Sequence, residues 1–447
     1  MLFLSLPFLL FLPIFFLLYW YVFDRSLRTQ NVLVLLGSYV FYAWWDWRFL
    51  FLLAGSSVLN YGLGILMGRG RGQRVLVGVG LVQGLGCLLY FKYFNPFLPL
   101  GISFYTFKTI SYLLDIRRRK IGPERDWVVF FSYVAFFPCV LSGPIDRPGV
   151  LIPQLKARRV FDVARGTDGM RQLLWGVFKK VVIADNCAGL TADIFDHYRT
   201  QPASALWCGA FLYTIQIYAD FSGYSDMAIG IGSLLGFRIT RNFHYPLFAQ
   251  NIAEFWRRWH ISLTTWLTEY VYTPLALYFR DYGKGGQVLA ILIDFTAIGI
   301  WHGPRWTFVI FGILHGCYYI PLILRGTMGK SRKTGGWRMG VMFVLVTAAF
   351  ILFRSPSLAD AIGYYRGLFS RSILSGFPVA DRVDFVVTML SIALMFGAEW
   401  RQRDREHALQ IDGVRPFALR IVIYYLLLGL ILTFGPAKFS EFIYIRF

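Results

Sequence analysis

Charge is what this chain has least of. Only 16% of its 447 residues are Asp, Glu, Lys or Arg, where soluble domains carry about 25%, and 56% are hydrophobic. No polar block is long enough to fold separately, so residues 1–447 read as a single membrane-embedded domain. Cysteine is also scarce. Cys87, Cys139, Cys187, Cys208 and Cys317 form no Cys-x-x-Cys pair and lie mostly inside apolar runs. That argues against a disulfide framework or a metal site and leaves buried, inert thiols as the expectation. There is no internal repeat, which weakens a transporter built from repeated halves. The first segment, Leu2 to Phe23, lacks the basic start and small-residue cleavage site of a secretory signal, so it is expected to stay in the membrane.

What is present is positive charge between apolar runs. The formal net charge of +20 would suggest nucleic acid in a soluble chain. Here the basic residues cluster in short loops, the positive-inside pattern, which leaves membrane lipids and a phosphorylated cytosolic cofactor as partners and no nucleic acid. Asn31 to Met67 is too long for one span and breaks near Trp44-Trp45-Asp46-Trp47. After a loop holding Arg69, Arg71 and Arg74, two spans (Val75 to Phe94 and Leu98 to Leu114, separated by Asn95-Pro96) return the chain to Arg117-Arg118-Arg119-Lys120. Trp127 to Ile145 has basic residues on both flanks, and Phe137-Pro138 and Gly143-Pro144 supply breaks. It is either re-entrant or an exception to the charge rule. Gly169 to Ile194, Ala205 to Ala219, Val341 to Phe353, Val383 to Trp400 and Phe417 to Phe434 continue the series. The expectation is an all-α polytopic membrane protein with about 11–13 membrane helices, at about 20 residues per span.

The chemistry-bearing residues concentrate between Gln250 and Gly316. Asn251 to Pro274 reads as one amphipathic helix, opened by an Asn-x-x-Glu cap to Glu254. Helical spacing puts Trp256, His260, Leu263, Leu267 and Tyr270 on one face, where a lone histidine is more often a hydrogen-bonded core residue than a catalyst. Arg257 and Arg258 suit either a donor phosphate or a snorkelling position at the interface. An apolar segment, Val288 to Ile300, then leads to Trp301-His302-Gly303-Pro304. Charging an imidazole in such surroundings is costly, and the neutral form is the one that takes a proton from a hydroxyl. His315 follows on the next helix, and Gly303-Pro304 prevents helical spacing from pairing the two rings. Upstream, Asp220-Phe-Ser-Gly-Tyr-Ser-Asp226 is a polar knot. Its two carboxylates either line a passage or cap backbone amides at a helix joint.

Four stretches taken together resemble the membrane-bound O-acyltransferase superfamily, in its bacterial alginate O-acetyltransferase branch. They are Pro99-Leu-Gly-Ile-Ser-Phe-Tyr-Thr-Phe107, Asp220 to Gly230, Glu254-Phe-Trp-Arg-Arg-Trp-His-Ile-Ser-Leu263 and Gly299-Ile-Trp-His-Gly303. Phe137-Pro138, Ser142-Gly-Pro144 and the C-terminal Glu441 to Phe447 fit as well. The resemblance implies helices ringed around a central tunnel in the bacterial inner membrane. It puts the catalytic histidine on His302 and a second functional histidine on His260. Trp301, Trp259, Trp256, His315, Asp220 and Asp226 are then supporting or tunnel residues. It further implies transfer of an acetyl group from cytosolic acetyl-CoA, without a metal, towards an extracytoplasmic polysaccharide (alginate, another exopolysaccharide or peptidoglycan).

Relatives in this branch usually work with an extracytoplasmic acetyltransferase, and no Gly-Asp-Ser hydrolase segment occurs here to finish the transfer, so a partner protein is implied. Two departures bear on the acceptor. Asn95-Pro96 runs almost directly into the 99–107 motif, and Thr273-Pro-Leu-Ala-Leu-Tyr-Phe-Arg280 lacks the Gly-Gly-Asn common after the central helix. The rival readings are D-alanyl transfer to teichoic acid from a carrier-protein thioester, a polysaccharide channel without chemistry, and a degenerate scaffold. Intact Trp259-His260 and Trp301-His302 argue against the last.

Overall fold

A backbone in hydrocarbon has no water to bond, so its amides must pair within the segment. This chain meets that demand with helices alone: in the computed structural model no strand occurs among the described residues. Those are residues 1–447 apart from 71, 96, 330–334, 377–381, 436–441 and 444–447. Arg71, Pro96 and all of Glu441 to Phe447 except Phe442 and Ile443 therefore lie outside the described residues.

In chain order the helices are α1 (Leu6–Leu17), α2 (Leu27–Ala43), α3 (Arg48–Met67), α4 (Gln73–Tyr93), α5 (Ile102–Arg117), α6 (Trp127–Ala135), α7 (Phe137–Val140), α8 (Pro148–Lys156), α9 (Val163–Phe178) and α10 (Asp185–Asp196). Then come α11 (Ala203–Leu234), α12 (Ile252–Arg258), α13 (Ile261–Leu267), α14 (Thr273–Tyr278), α15 (Gly283–His302), α16 (Trp306–Leu324), α17 (Gly336–Arg354), α18 (Leu358–Leu368), α19 (Arg382–Arg401) and α20 (Phe417–Phe434). Among the described residues, seven of them (α3, α4, α15, α16, α17, α19 and α20) are long and apolar enough to cross a bilayer, and Leu6–Val22 is a shorter apolar helix. Only 6% of α20 is buried within the protein, so its apolar side chains lie on the protein surface. The sequence count of 11–13 also includes shorter and more polar segments.

The chain divides into two compact units. The first holds Met1–Leu174 and Tyr224–Arg241. Its aromatic core joins Phe11, Phe15, Phe41 and Phe137, and Arg159 reaches from the loop after α8 to Asn31 (2.6 Å) and Gln30 (3.2 Å). The Trp127–Ile145 stretch breaks as its prolines suggest. α6 stops at Ala135, Phe136 leaves the helical region, and Pro138 opens the single turn of α7. A helix of nine residues rises only about 14 Å, too little to span. Gly101 lies against the turn, where a Cβ would stand 2.0 Å from the Val140 carbonyl oxygen.

The second unit holds Trp175–Gly223 and Asn242–Phe447. Its most extensive helix pair is the crossing of α15 and α16. A Cβ on Gly299 would meet the Phe308 carbonyl oxygen at 2.4 Å, and one on Gly312 the Phe295 oxygen at 2.1 Å. Small residues let membrane helices approach this closely.

Three expectations change. The single helix from Asn251 to Pro274 does not form: α12 ends at Arg258, Trp259 is extended, and His260 adopts left-handed φ 44°, ψ 52° before α13 begins. The shared face predicted for Trp256, His260 and Tyr270 is therefore lost. Of the two readings of Asp220–Asp226 the helix joint is absent, because α11 runs through it unbroken, although Asp220 does accept a backbone N–H, that of the distant Ile443. The thiols are all free, but Cys317 is exposed and only Cys139 and Cys187 are fully buried.

Candidate active site

His302 is the last residue of α15, and the local sequence explains why the helix stops there. Gly303 takes φ 153°, ψ −175°, a conformation essentially reserved for glycine, and Pro304 follows without an N–H to donate. The imidazole, 5% exposed, sits among aromatic rings. Trp301 is 4.6 Å away between centroids, Phe353 of α17 is edge-on at 4.9 Å, and Phe308 and Phe311 of α16 lie at 5.9 and 6.2 Å. Such a wall excludes water, which strengthens any electrostatic interaction formed inside it.

His260 approaches the same tryptophan, at 6.4 Å from the Trp301 centroid. The kink that carries it is stapled by an extended segment: the His244 N–H donates to the Arg258 carbonyl (2.9 Å) and the Ile261 N–H to the Asn242 carbonyl (2.8 Å). Trp259 fills the space behind, packing on Phe243, Phe255 and Phe350. The His260 Nδ1 lies 3.0 Å from the Asn242 Oδ1, and Phe221 meets the ring edge-on at 4.7 Å. Burial pushes this imidazole down from its ordinary 6.5 to about 3, because charging it would leave the cation without solvent.

His315, also fully buried, accepts a hydrogen bond at Nδ1 from the Trp256 indole N–H (3.2 Å). Phe311 stands between it and His302, 4.5 Å from His315. A row of rings thus links His260, Trp301, His302, Phe311, His315 and Trp256, which are all the histidines and tryptophans singled out in 250–316 except Trp259, packed on Phe255 behind it. Helical spacing could not foresee it, since it depends on the kink at His260 and the close crossing of α15 and α16.

Beside this row a cavity of about 590 Å³ is lined by Arg257, Arg258, Arg325, Trp337 and Arg338, with Asn251 and Glu254 at its wall. The cap is as expected: the Asn251 side chain accepts from the Glu254 N–H (2.9 Å), and Glu254 accepts from the Gln250 N–H (3.0 Å). Glu254 also pairs with Arg258 at 2.7 Å, which fixes that guanidinium in the wall. A second cavity of about 250 Å³ shares Arg257 and contains Asp294, Tyr272 and Tyr319. The Asp294 Oδ1 is buried there without a hydrogen-bond partner among the described residues. Its signal was a lone carboxylate in an apolar run, and it was missed.

The polar knot divides between the units. Asp226 accepts from the Gln172 amide at 2.9 Å in the first. In the second, Asp220 accepts from Lys180 Nζ at 2.6 Å and from the Ile443 N–H at 2.7 Å, while Lys180 also reaches Asp185 at 2.8 Å. Two consecutive lysines inside an apolar helix, Lys179 and Lys180, were the available signal, because charges at such depth are normally paired.

The model of the membrane-bound O-acyltransferase family matches residues 124–353, which contain every residue of the ring row. Among curated proteins the chain is 38% identical over 391 residues, 81% of its length, to "Probable alginate O-acetylase AlgI" of Pseudomonas aeruginosa, covering 73% of that protein. It is 30% identical to "Peptidoglycan O-acetyltransferase" of Helicobacter pylori, over 80% of this chain and 77% of that one. It is 27% identical to "Teichoic acid D-alanyltransferase" of Streptococcus thermophilus, over 53% and 58%. With a family match across the whole aromatic-lined site and relatives similar along most of the sequence, the chain belongs to the membrane-bound O-acyltransferase family and is a multi-pass membrane acyltransferase.

Proposed function

We propose that this enzyme moves an acetyl group from cytosolic acetyl-CoA to hydroxyls of an extracytoplasmic polysaccharide, in the bacterial inner membrane and with a partner acetyltransferase completing the transfer. The observation that carries the reading is His302, buried at the end of α15 among aromatic rings, with an arginine-lined cavity built on the neighbouring helices α12, α16 and α17. The names of the alginate and peptidoglycan relatives support acetyl as the group and a polysaccharide as the acceptor.

A thioester is already activated, so the protein has to position it, take the acceptor's proton and stabilise the oxyanion. The acceptor hydroxyl gives its proton to His302 as its oxygen bonds to the thioester carbonyl carbon. The tetrahedral intermediate then collapses, the carbon–sulfur bond breaks, and the departing thiolate takes the proton from His302. Arg257, Arg258, Arg325 and Arg338 offer fixed positive charge for the phosphates of the donor.

The test uses the purified full-length protein in lipid with acetyl-CoA labelled in the acetyl group and a small saccharide as the hydroxyl acceptor, and it scores loss of the thioester, the step assigned to this chain. A positioned base contributes about 10²–10⁴-fold, so His302→Ala is expected to lose at least about a hundredfold of transfer while its elution in detergent is unchanged. Wild-type transfer by a folded His302→Ala protein refutes the assignment. Mass spectrometry of the modified acceptor separates acetyl from D-alanyl transfer.

A further inference from the structure

Asn242 is buried, lies outside every motif that carried the family resemblance, and yet its side-chain oxygen meets three groups at once. The Ser262 backbone N–H points at it from 3.2 Å, the Ser262 hydroxyl from 2.9 Å, and the His260 Nδ1 from 3.0 Å. A backbone N–H can only donate, so the atom it faces is the amide's oxygen and not its nitrogen. An amide oxygen can only accept. The His260 Nδ1 must therefore carry the proton, and in the neutral ring Nε2 carries the lone pair. The backbone reinforces this arrangement. His260 is held at φ 44°, ψ 52°, a conformation costly for a side-chain-bearing residue that persists where the surroundings over-determine it. Here the Ile261 N–H bonded to the Asn242 carbonyl does so.

We infer that Asn242 is the positioning residue that makes His260 an acceptor at Nε2, so that His260 receives a hydrogen bond from a second hydroxyl of the acceptor, next to the one that reacts, and does not donate one to the oxyanion. The inference rests on the acyl-transfer reading above. It divides the work of two histidines that flank one tryptophan: His302 removes the proton of the reacting hydroxyl, and His260 holds the acceptor by the neighbouring hydroxyl. Alignment of this kind is where much of the advantage of a bound reaction arises.

The charged and titratable groups on the elements packed against His260 are few. On α11, Asp220 next to Phe221 is engaged by Lys180. On α15, the titratable neighbour is His302, beside Trp301. On the segment carrying Asn242, His244 approaches the Arg403 carbonyl oxygen at 3.1 Å.

The decisive variant is Asn242→Asp, which keeps the acceptor oxygen, replaces the amide nitrogen with a second oxygen and adds a negative charge next to Nδ1. That charge favours the doubly protonated ring, whose Nε2 can no longer accept. The acid limb of kcat/KM against pH is then expected to move up by at least about one pH unit, with recovery to within about threefold of wild type on the alkaline side. Asn242→Ala removes all three contacts at once, frees the ring and lowers kcat/KM by about tenfold, roughly what the lost hydrogen bond to His260 alone is worth. An Asn242→Asp profile that superimposes on wild type overturns the inference. Should that variant fail to fold in detergent, Asn242→Ala activity within about threefold of wild type overturns it instead. An inactive His302→Ala with an unshifted Asn242→Asp profile defeats this inference alone, whereas an active His302→Ala defeats the acyl-transfer mechanism beneath it.

Discussion

A histidine buried away from solvent resists a second proton, and that resistance is a property of the folded state only. In the unfolded chain the ring titrates near 6.5, and in the fold burial holds it near 3. Between those values the unfolded state binds a proton that the native state refuses, so stability rises with pH across that window and is lost as pH falls. Above 6.5 neither state is protonated and the contribution is constant. The thermal midpoint in detergent is therefore expected to fall from pH 7 to pH 5 by more in wild type than in His260→Gln, with a limiting slope of about 1.4 kcal/mol per pH unit from this residue. Parallel midpoint curves for the two proteins count against a neutral, buried His260. The sequence exposed His260 as a residue of interest but not its partner. Asn242 is separated from it by a segment that only the fold brings back, and an asparagine beside Arg241 reads as a loop residue.

At the scale of elements, the legible parts were those decided locally. The breaks at Trp44–Trp47 and Phe136–Pro138, the Asn251 cap and the end of α15 at Gly303 all follow from cap residues, prolines, a glycine and length. The misread parts were decided by tertiary contact. The stretch from Asn251 to Pro274 has helical spacing throughout, yet it turns at His260 because the 242–244 segment bonds its backbone there. α11 continues through a polar knot because Lys180 compensates Asp220, a charge contributed by another helix. The α15–α16 crossing belongs to the same class, since a glycine in an apolar helix does not announce which helix approaches it. Its consequence can be measured. In Gly312→Val the added atoms meet the Phe295 carbonyl, which sits 2.1 Å from the ideal Cβ, so the helices must separate. Overpacking of this kind costs about 1–3 kcal/mol, read as a thermal midpoint lowered by a few degrees. Activity is expected to fall further than stability, because His302 and His315 lie on the two helices being parted. A Gly312→Val protein with wild-type midpoint and rate shows that the crossing is looser than these distances.

For the whole molecule the governing quantity is charge, scarce overall and yet strongly unbalanced at +20. Orientation in the membrane accounts for basic loops in general, but not for four arginines lining one cavity of about 590 Å³ with a tryptophan among them. A donor bearing phosphates gives that arrangement a purpose, and the charges then act on capture of the donor, away from the bond that breaks. Removing them is expected to weaken donor binding uniformly in ground and transition states, which raises KM and spares kcat. The Arg325→Ala, Arg338→Ala double variant is accordingly expected to raise the KM for acetyl-CoA by about tenfold or more, since a charge-assisted hydrogen bond is worth about 1.5–3 kcal/mol. S-acetyl-pantetheine, which lacks the phosphates, separates charge recognition from misfolding: its kcat/KM should be the same for wild type and variant. The preference of the wild type for the coenzyme over the truncated thioester should then shrink by the same factor as the KM changes, and added salt should erode it in the wild type more than in the variant. Equal losses with both donors make the arginines structural, and an unchanged KM for acetyl-CoA moves the donor's entrance elsewhere.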